Sequence, residues 1–420
     1  MLSDSSVFFD ALHARAEATG WYERRPKPPV RAARQTGAPL SARGHGDVRP
    51  QFLMQVLQRR VVEESDALVM SEAGTSFTWC NAHLRFSREG RYRTSPAWGS
   101  MGHFTTGCVG AALAGRRKVV AVVGLDSSGI AAAVVPEAEK YKVPVFFQTA
   151  GSPGLLTKST RFAFRTCLPA APMVVQAVAE FIQAKGIKTV ASVVASYEWG
   201  LKVKDAYDRL VKPLPGVTLQ QEEAPPGERD FTAYLRKLQP LNPELLSGLG
   251  HPPGVQTLIK QAVEMGFNSK YFIGAFASYP LYIDLIGEAA YNRVVEFSCI
   301  NWDSPEYLSI AQKFYQRYNK WMDMRAATGY VTAYLIANAI EKTRSTDPVK
   351  IADYIRSSRY EHPIFAWPLS YTEWGELKEA TLRMVTLVKK APPSGVNPSA
   401  NWWIETLYTS KPLQPYVPEK

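Results

Sequence analysis

The sequence predicts an α/β protein of more than one domain, built on parallel sheets covered by helices. Three observations carry that prediction. The first is the stretch from Val119 to Phe147, where a β-branched run, a glycine turn, small residues at helical spacing and a second apolar run follow one another. That is one strand–loop–helix–strand unit, the repeating element of parallel sheets. The second is regular strand–helix alternation from Met173 to Gly274. The third is length, since 420 residues exceed one typical core and call for two or three domains.

Taken in order, residues 1–60 read as a basic, proline-rich arm with helical patterns over Val7 to Ala18 and Pro50 to Val62. Part of the formal charge of +11 lies in its Arg24–Arg59 stretch. No nucleic-acid-binding signature accompanies that charge, so general attraction for anions is all it implies. Residues 61–123 form a further α/β segment: a buried strand over Asp66 to Glu72, a glycine-rich loop from Ser95 to Gly102, and a helix with small residues on one face.

Beyond the Val119 unit, the patterns predict helices over Met173–Lys185, Lys202–Val211 and Gly254–Met265, and one opening at Asp230-Phe231. Strands are expected over Thr189–Ala195, Val217–Glu222, Leu245–Gly248 and Tyr271–Gly274, then a helix over Ala326–Lys342 and a late strand over Leu382–Lys389. The tail from Pro392, with six prolines and adjacent Trp402 and Trp403, reads as an extended wrap over the surface.

Several function classes are set aside by composition. There is no run of eighteen apolar residues, so no membrane span is expected. Cys80, Cys108, Cys167 and Cys299 lack metal-binding spacing and read as buried free thiols. The start, Met1 to Asp10, has neither a basic n-region nor an apolar h-region, so the chain as written is expected in the cytoplasm. No paired carboxylates, Ser-His-Asp order or metal cluster falls on the predicted loops, so neither catalytic residues nor a metal site are assigned.

The candidate site is the start of the helix after Gly124. Ser127, Ser128 and Gly129 fall in its first turn, where unpaired N–H groups and the positive dipole end hold a carboxylate or phosphate without a cationic side chain. An ordinary serine N-cap gives the same pattern.

Two resemblances add to this reading. Val69 to Ser76, Trp98-Gly99-Ser100-Met101-Gly102 with Phe104-Thr105-Thr106-Gly107, and Val119 to Gly124 resemble the cofactor-binding domain of thiamine-diphosphate decarboxylases of the pyruvate and indolepyruvate type. That resemblance implies cofactor contacts at Gly99, Ser100, Met101 and Gly124. The family's Gly-Asp-Gly and Asn-Asn pattern for Mg²⁺ is absent, because Gly124 is followed by Leu125 and Asp126 comes one position late. Mg²⁺ demands near-ideal octahedral placement, so that shift argues against thiamine chemistry.

From Gly124 to about 410, the sequence is similar to the branched-chain amino-acid-binding proteins of ABC transporters. The motifs are Gly124-Leu125-Asp126-Ser127-Ser128-Gly129, Phe162-Ala163-Phe164-Arg165-Thr166, Tyr197-Glu198-Trp199-Gly200, Arg229-Asp230-Phe231, Gln261 to Gly266, and Gly329-Tyr330. The similarity implies two Rossmann-like lobes of the type I periplasmic binding protein kind, the first completed by or fused to the thiamine-diphosphate-enzyme-like segment. Lobe 1 would take 124–170 plus about 300–355, and lobe 2 would take 171–299 plus about 356–390, leaving 391–420 as the tail.

It further implies ligand contacts at Ser127, Ser128 and Gly129, at Gly151 and Ser152, and, from the second lobe, at Trp199, His251 and Phe276. A plain Gly-Ser-Pro turn, a hinge aromatic and a capping histidine are the structural alternatives for Gly151-Ser152, Trp199 and His251. The family's acid for a ligand ammonium has no counterpart in Ala275-Phe276-Ala277-Ser278. A desolvated ammonium without a counter-charge is costly, so an aliphatic or aromatic carboxylate is expected rather than a zwitterion.

The implied function is solute binding without catalysis or cofactor, the partners being a small carboxylate or amino acid and an ABC-transporter permease. Family members are periplasmic. The alternatives are a remnant Mg²⁺- and thiamine-diphosphate-dependent decarboxylase or lyase, and a chimera that binds nothing.

Overall fold

The computed structural model describes residues 50–64, 69–71, 84–87, 92–94, 119–274 and 279–419. The described residues up to 69, with 84–87 and 92–93, belong to one compact unit; 70–71, 94 and everything from 119 onward belong to a second.

In the first unit, helix Pro50–Leu57 runs into a π-helical turn over Gln58–Glu63. Met54, Val62 and Leu84 make its small core, with Leu57, Val69 and Phe86 against it. The Gln58 amide grips the backbone of Arg85 from both sides, donating to its carbonyl at 3.0 Å and accepting from its N–H at 2.8 Å.

The second unit contains two sheets. Strands Val122–Leu125, Val145–Phe147 and Ala163–Arg165 pair in parallel in that order. The last two are wholly buried and purely apolar apart from Arg165, as expected of strands covered on both faces. Helix Met324–Thr343, capped by the Asp323 carboxylate accepting from the Ala326 N–H at 2.9 Å, packs beside the first strand.

The larger sheet has seven strands among the described residues. Thr218–Ala224, Thr189–Ala195, Leu245–Ser247, Tyr271–Ile273 and Val294–Ser298 are parallel neighbours. Arg383–Val388 and Trp403–Thr409 then extend it antiparallel. The tail is therefore no surface wrap. Trp403–Thr409 pairs antiparallel with Arg383–Val388, with one register shift between Met384 and Val385, and Trp402 and Trp403 are buried. Burying both indoles offsets the ordering of so proline-rich a segment.

Three segments link the sheets, one leaving Arg165 for helix Ala171–Ala184, one returning after Ser298 toward helix Met324–Thr343, and one leading on to strand Arg383–Val388. Cys167 lies on the first and Cys299 on the second, and they form a disulfide with Cα atoms 5.3 Å apart. This corrects the reading of both as free thiols. Residues 132 positions apart carry no pairing signal in sequence; only the sheet topology brings the two crossings together. Cys80 and Cys108 lie outside the described residues.

Candidate functional site

Five of the parallel strands lead into one cleft. Asp126, Ser127, Ser128 and Gly129 follow the strand ending at Leu125; Thr149 follows Phe147, and Leu168 follows Arg165. From the larger sheet come Tyr197 and Trp199 after Ala195, and Pro252, Pro253, Val255 and Gln256 after Ser247. Arg325, from the first turn of its helix, completes a cavity of about 370 Å³. Open α/β sheets place ligands at the carboxyl ends of their strands, and the cavity lies at such ends of both sheets.

Ser127 occupies the N-cap of helix Ser128–Tyr141 in extended conformation, and its side chain caps none of the helix's N–H groups. The first-turn amides thus keep their hydrogen-bonding capacity for something else. Ser128 accepts from the Ser152 N–H at 3.2 Å through its hydroxyl oxygen, leaving its own proton to donate. A Cβ added at Gly129 would meet nothing closer than the Ser127 hydroxyl at 3.8 Å, so the helix tip is open. Gly124 takes φ +105, a turn open to glycine, with clear space at its Cβ position.

Gly151 and Ser152 are brought to this place but lie beneath the cleft wall rather than on it. Both are buried. A Cβ at Gly151 would sit 2.4 Å from Cζ3 of Trp199 and 2.9 Å from Leu168 Cδ2, so only glycine admits the indole. Trp199, expected on a loop, stands in the first turn of helix Glu198–Leu210 and is fixed by its indole N–H donating to the Leu249 carbonyl at 3.0 Å. Its neighbour Gly200 is equally constrained, a Cβ there falling 2.0 Å from the Ala195 carbonyl oxygen.

His251 does not face the cleft. It is fully buried, its Nδ1 accepts from the Gly254 N–H at 3.1 Å, and its Nε2 lies 2.8 Å from the Pro225 carbonyl. With Nδ1 accepting, the proton sits on Nε2 and is donated to Pro225. Phe231 meets the ring edge-on at 5.0 Å. The residue caps helix Val255–Glu264 through its N-cap glycine, and the neighbouring Pro252 and Pro253 reach the cleft instead. Phe276, Gly99, Ser100 and Met101 lie outside the described residues.

Sequence reasoning missed an ion pair. Asp126 Oδ2 accepts from Nε of Arg325 at 3.0 Å, both half-exposed, across 199 positions of sequence. Nothing local marks Arg325. Thr149 and the Gln148 amide hold the same corner, donating to the carbonyls of Asp126 at 3.3 Å and Arg325 at 3.2 Å. Burial pushes the Tyr197 hydroxyl up to about 12, which keeps it a neutral hydrogen-bonding group at any physiological pH. Among the described residues, no group of three His, Cys, Asp or Glu side chains is placed to hold a metal ion.

Two α/β lobes joined by crossing segments around a cleft at their strand ends define the architecture of a two-lobed ligand-binding protein. Residues 110–391, more than half of the chain, match the periplasmic binding protein family, and the chain belongs to it. The expected type I fold is present. A leucine binding protein from Thermotoga maritima is 20% identical, with a TM-score of 0.63 over 82% of this chain and 98% of that one.

A solute-binding protein of R. palustris solved with benzoate is 14% identical, with a TM-score of 0.61 over 77% of this chain and 86% of that one. In sequence, a leucine-, isoleucine-, valine-, threonine-, and alanine-binding protein of Pseudomonas aeruginosa is 22% identical over 152 residues, 36% of this chain and 40% of that protein's length. These relatives include no thiamine-diphosphate enzyme. The family match also runs back across the junction at Gly124 to residue 110. Family members are periplasmic by name; Met1 to Asp10, on which the cytoplasmic expectation rested, lie outside the described residues.

Proposed function

We propose that the protein is a solute-binding protein of an ABC transporter in the branched-chain amino-acid-binding family, without catalytic activity, that closes two lobes on a small carboxylate. The observation that carries this reading is the open tip of the Ser128 helix facing Trp199 and Tyr197 across one cavity. Helix-tip amides and the hydroxyls of Ser127 and Ser128 take the carboxylate, while Trp199, Leu168, Pro252 and Val255 supply an apolar wall.

The polar complement favours a carboxylate over a zwitterion. Asp126 is the one acid lining the cavity among the described residues, and it is engaged with Arg325. Ala275 to Ser278 contains no acid by sequence. An aromatic carboxylate fits, and the benzoate and 4-hydroxybenzoate complexes of two related structures make these the natural probes. A permease of the same transporter is the expected partner. The Cys167–Cys299 disulfide suits an oxidising compartment and thus work outside the cytoplasm, against the expectation drawn from Met1 to Asp10.

Thermal unfolding with benzoate, 4-hydroxybenzoate, isovalerate and leucine tests the reading. A ligand at about a hundredfold its dissociation constant stabilises by roughly 2.7 kcal/mol, a visible shift. The aromatic carboxylates should raise Tm and leucine should not; a shift with leucine alone would reverse the ligand assignment.

A further inference from the structure

Arg165 lies in the motif Phe162 to Thr166 and lines no part of the cleft, yet it is completely buried and its guanidinium reaches the loop behind the site. Its Nε donates to Glu376 Oε2 at 2.9 Å, its Nη2 to the Ser152 carbonyl at 2.8 Å, and its Nη1 to the Ala150 carbonyl. The Gly151 carbonyl between them accepts from the Ala171 N–H at 3.1 Å. Three successive carbonyls are thus drawn into the protein body.

A trans peptide points its N–H opposite to its C=O, and none of the described peptides is cis. Holding Ala150 O on the guanidinium therefore turns the Gly151 N–H away from Arg165. Holding Gly151 O on Ala171 directs the Ser152 N–H onto the Ser128 hydroxyl oxygen, 3.2 Å away. That bond in turn leaves the Ser128 proton to be donated toward the helix tip. We propose that Arg165 is the positioning residue of the ligand site: its planar fork sets the Ala150–Ser152 peptides that orient the Ser128 hydroxyl, while Glu376 stabilises the guanidinium without influencing the ligand. The inference rests on the proposed carboxylate site at Ser127 and Ser128.

The two partners separate in experiment. Arg165→Lys keeps the buried charge beside Glu376, but a single ammonium cannot reproduce a two-carbonyl fork. Glu376→Gln keeps an acceptor for Nε and the fork intact, and removes only the counter-charge. Benzoate affinity by calorimetry, unfolding temperature, and hydrogen exchange of the Gly151 and Ser152 amides are measured on the full chain.

Arg165→Lys is expected to weaken benzoate binding about tenfold or more and to speed Ser152 exchange, as loss of a bidentate, charge-assisted contact implies. Glu376→Gln is expected to lower Tm while leaving affinity and exchange within about twofold of wild type, because leaving a buried charge unpaired costs stability. Wild-type affinity and exchange in Arg165→Lys would overturn the proposal. If that variant does not fold, Glu376→Gln decides alone: an affinity loss with faster Ser152 exchange overturns it. Should wild type bind no benzoate, the functional reading fails, and the exchange rates still test whether Arg165 sets the loop.

Discussion

The two walls of the cleft are built on different principles. The wall after the three-stranded sheet is mainly backbone and polar groups, a helix tip, two serines, Thr149 and an ion pair, with Leu168 as its apolar member. The wall after the seven-stranded sheet is mainly rings, Tyr197, Trp199, Pro252 and Pro253, beside Val255 and Gln256. A backbone site recognises charge and is indifferent to the ligand's body, whereas a ring wall recognises shape and is indifferent to charge. On the proposed reading, head-group and body selectivity divide between the two walls.

The largest expected effect removes what ties the walls together. Replacing Cys167 and Cys299 by Ala, or reducing them with dithiothreitol, frees a loop of 132 positions and should cost roughly 2–5 kcal/mol. Thermal unfolding checks this, and an unchanged Tm would show that the crossings need no staple. Next, Gly151→Ala forces a methyl into the Trp199 indole, at a cost of about 1–3 kcal/mol by overpacking. It strikes a place where the two walls touch, so calorimetry should find weaker binding of aromatic and aliphatic carboxylates alike.

Ser127→Ala sharpens the comparison. Losing a hydrogen bond to a charged head should cost about 1.5 kcal/mol of affinity, equally for benzoate and isovalerate. An effect confined to benzoate would place Ser127 against the ring and not the head. The smallest effect concerns pH. Burial lowers the His362 pKa below its ordinary 6.5, so the native imidazole resists protonation that the unfolded chain accepts. Stability should be flat above pH 6.5 and fall gently as pH drops below it, and His362→Gln should flatten that slope in urea titrations at pH 5 and 7.

The two walls also differed in how far sequence revealed them. The helix-tip wall is local: Gly124 to Gly129 carries the turn, the cap and the first turn within six residues, and periodicity alone placed it. The strand–helix alternation was legible for the same reason. The ring wall depends on which side of a helix or loop faces the cleft, and there His251 and its neighbours Pro252 and Pro253 exchanged roles, since a histidine that caps a helix has the same local pattern as one that faces a ligand. Arg325, the disulfide and the pairing of Trp403–Thr409 with the late strand are long-range consequences of topology, with no local pattern to announce them.

The central claim is that a carboxylate rests on the tip of the Ser128 helix. Amide nitrogen NMR of the labelled chain during a benzoate titration tests it most directly. The account predicts saturable shifts of the Ser128, Gly129 and Ile130 amides together with the Trp199 indole signal, and little response to neutral benzamide at the same concentrations. Shifts of the Trp199 indole with unmoved helix-tip amides, or equal responses to benzoate and benzamide, would contradict it.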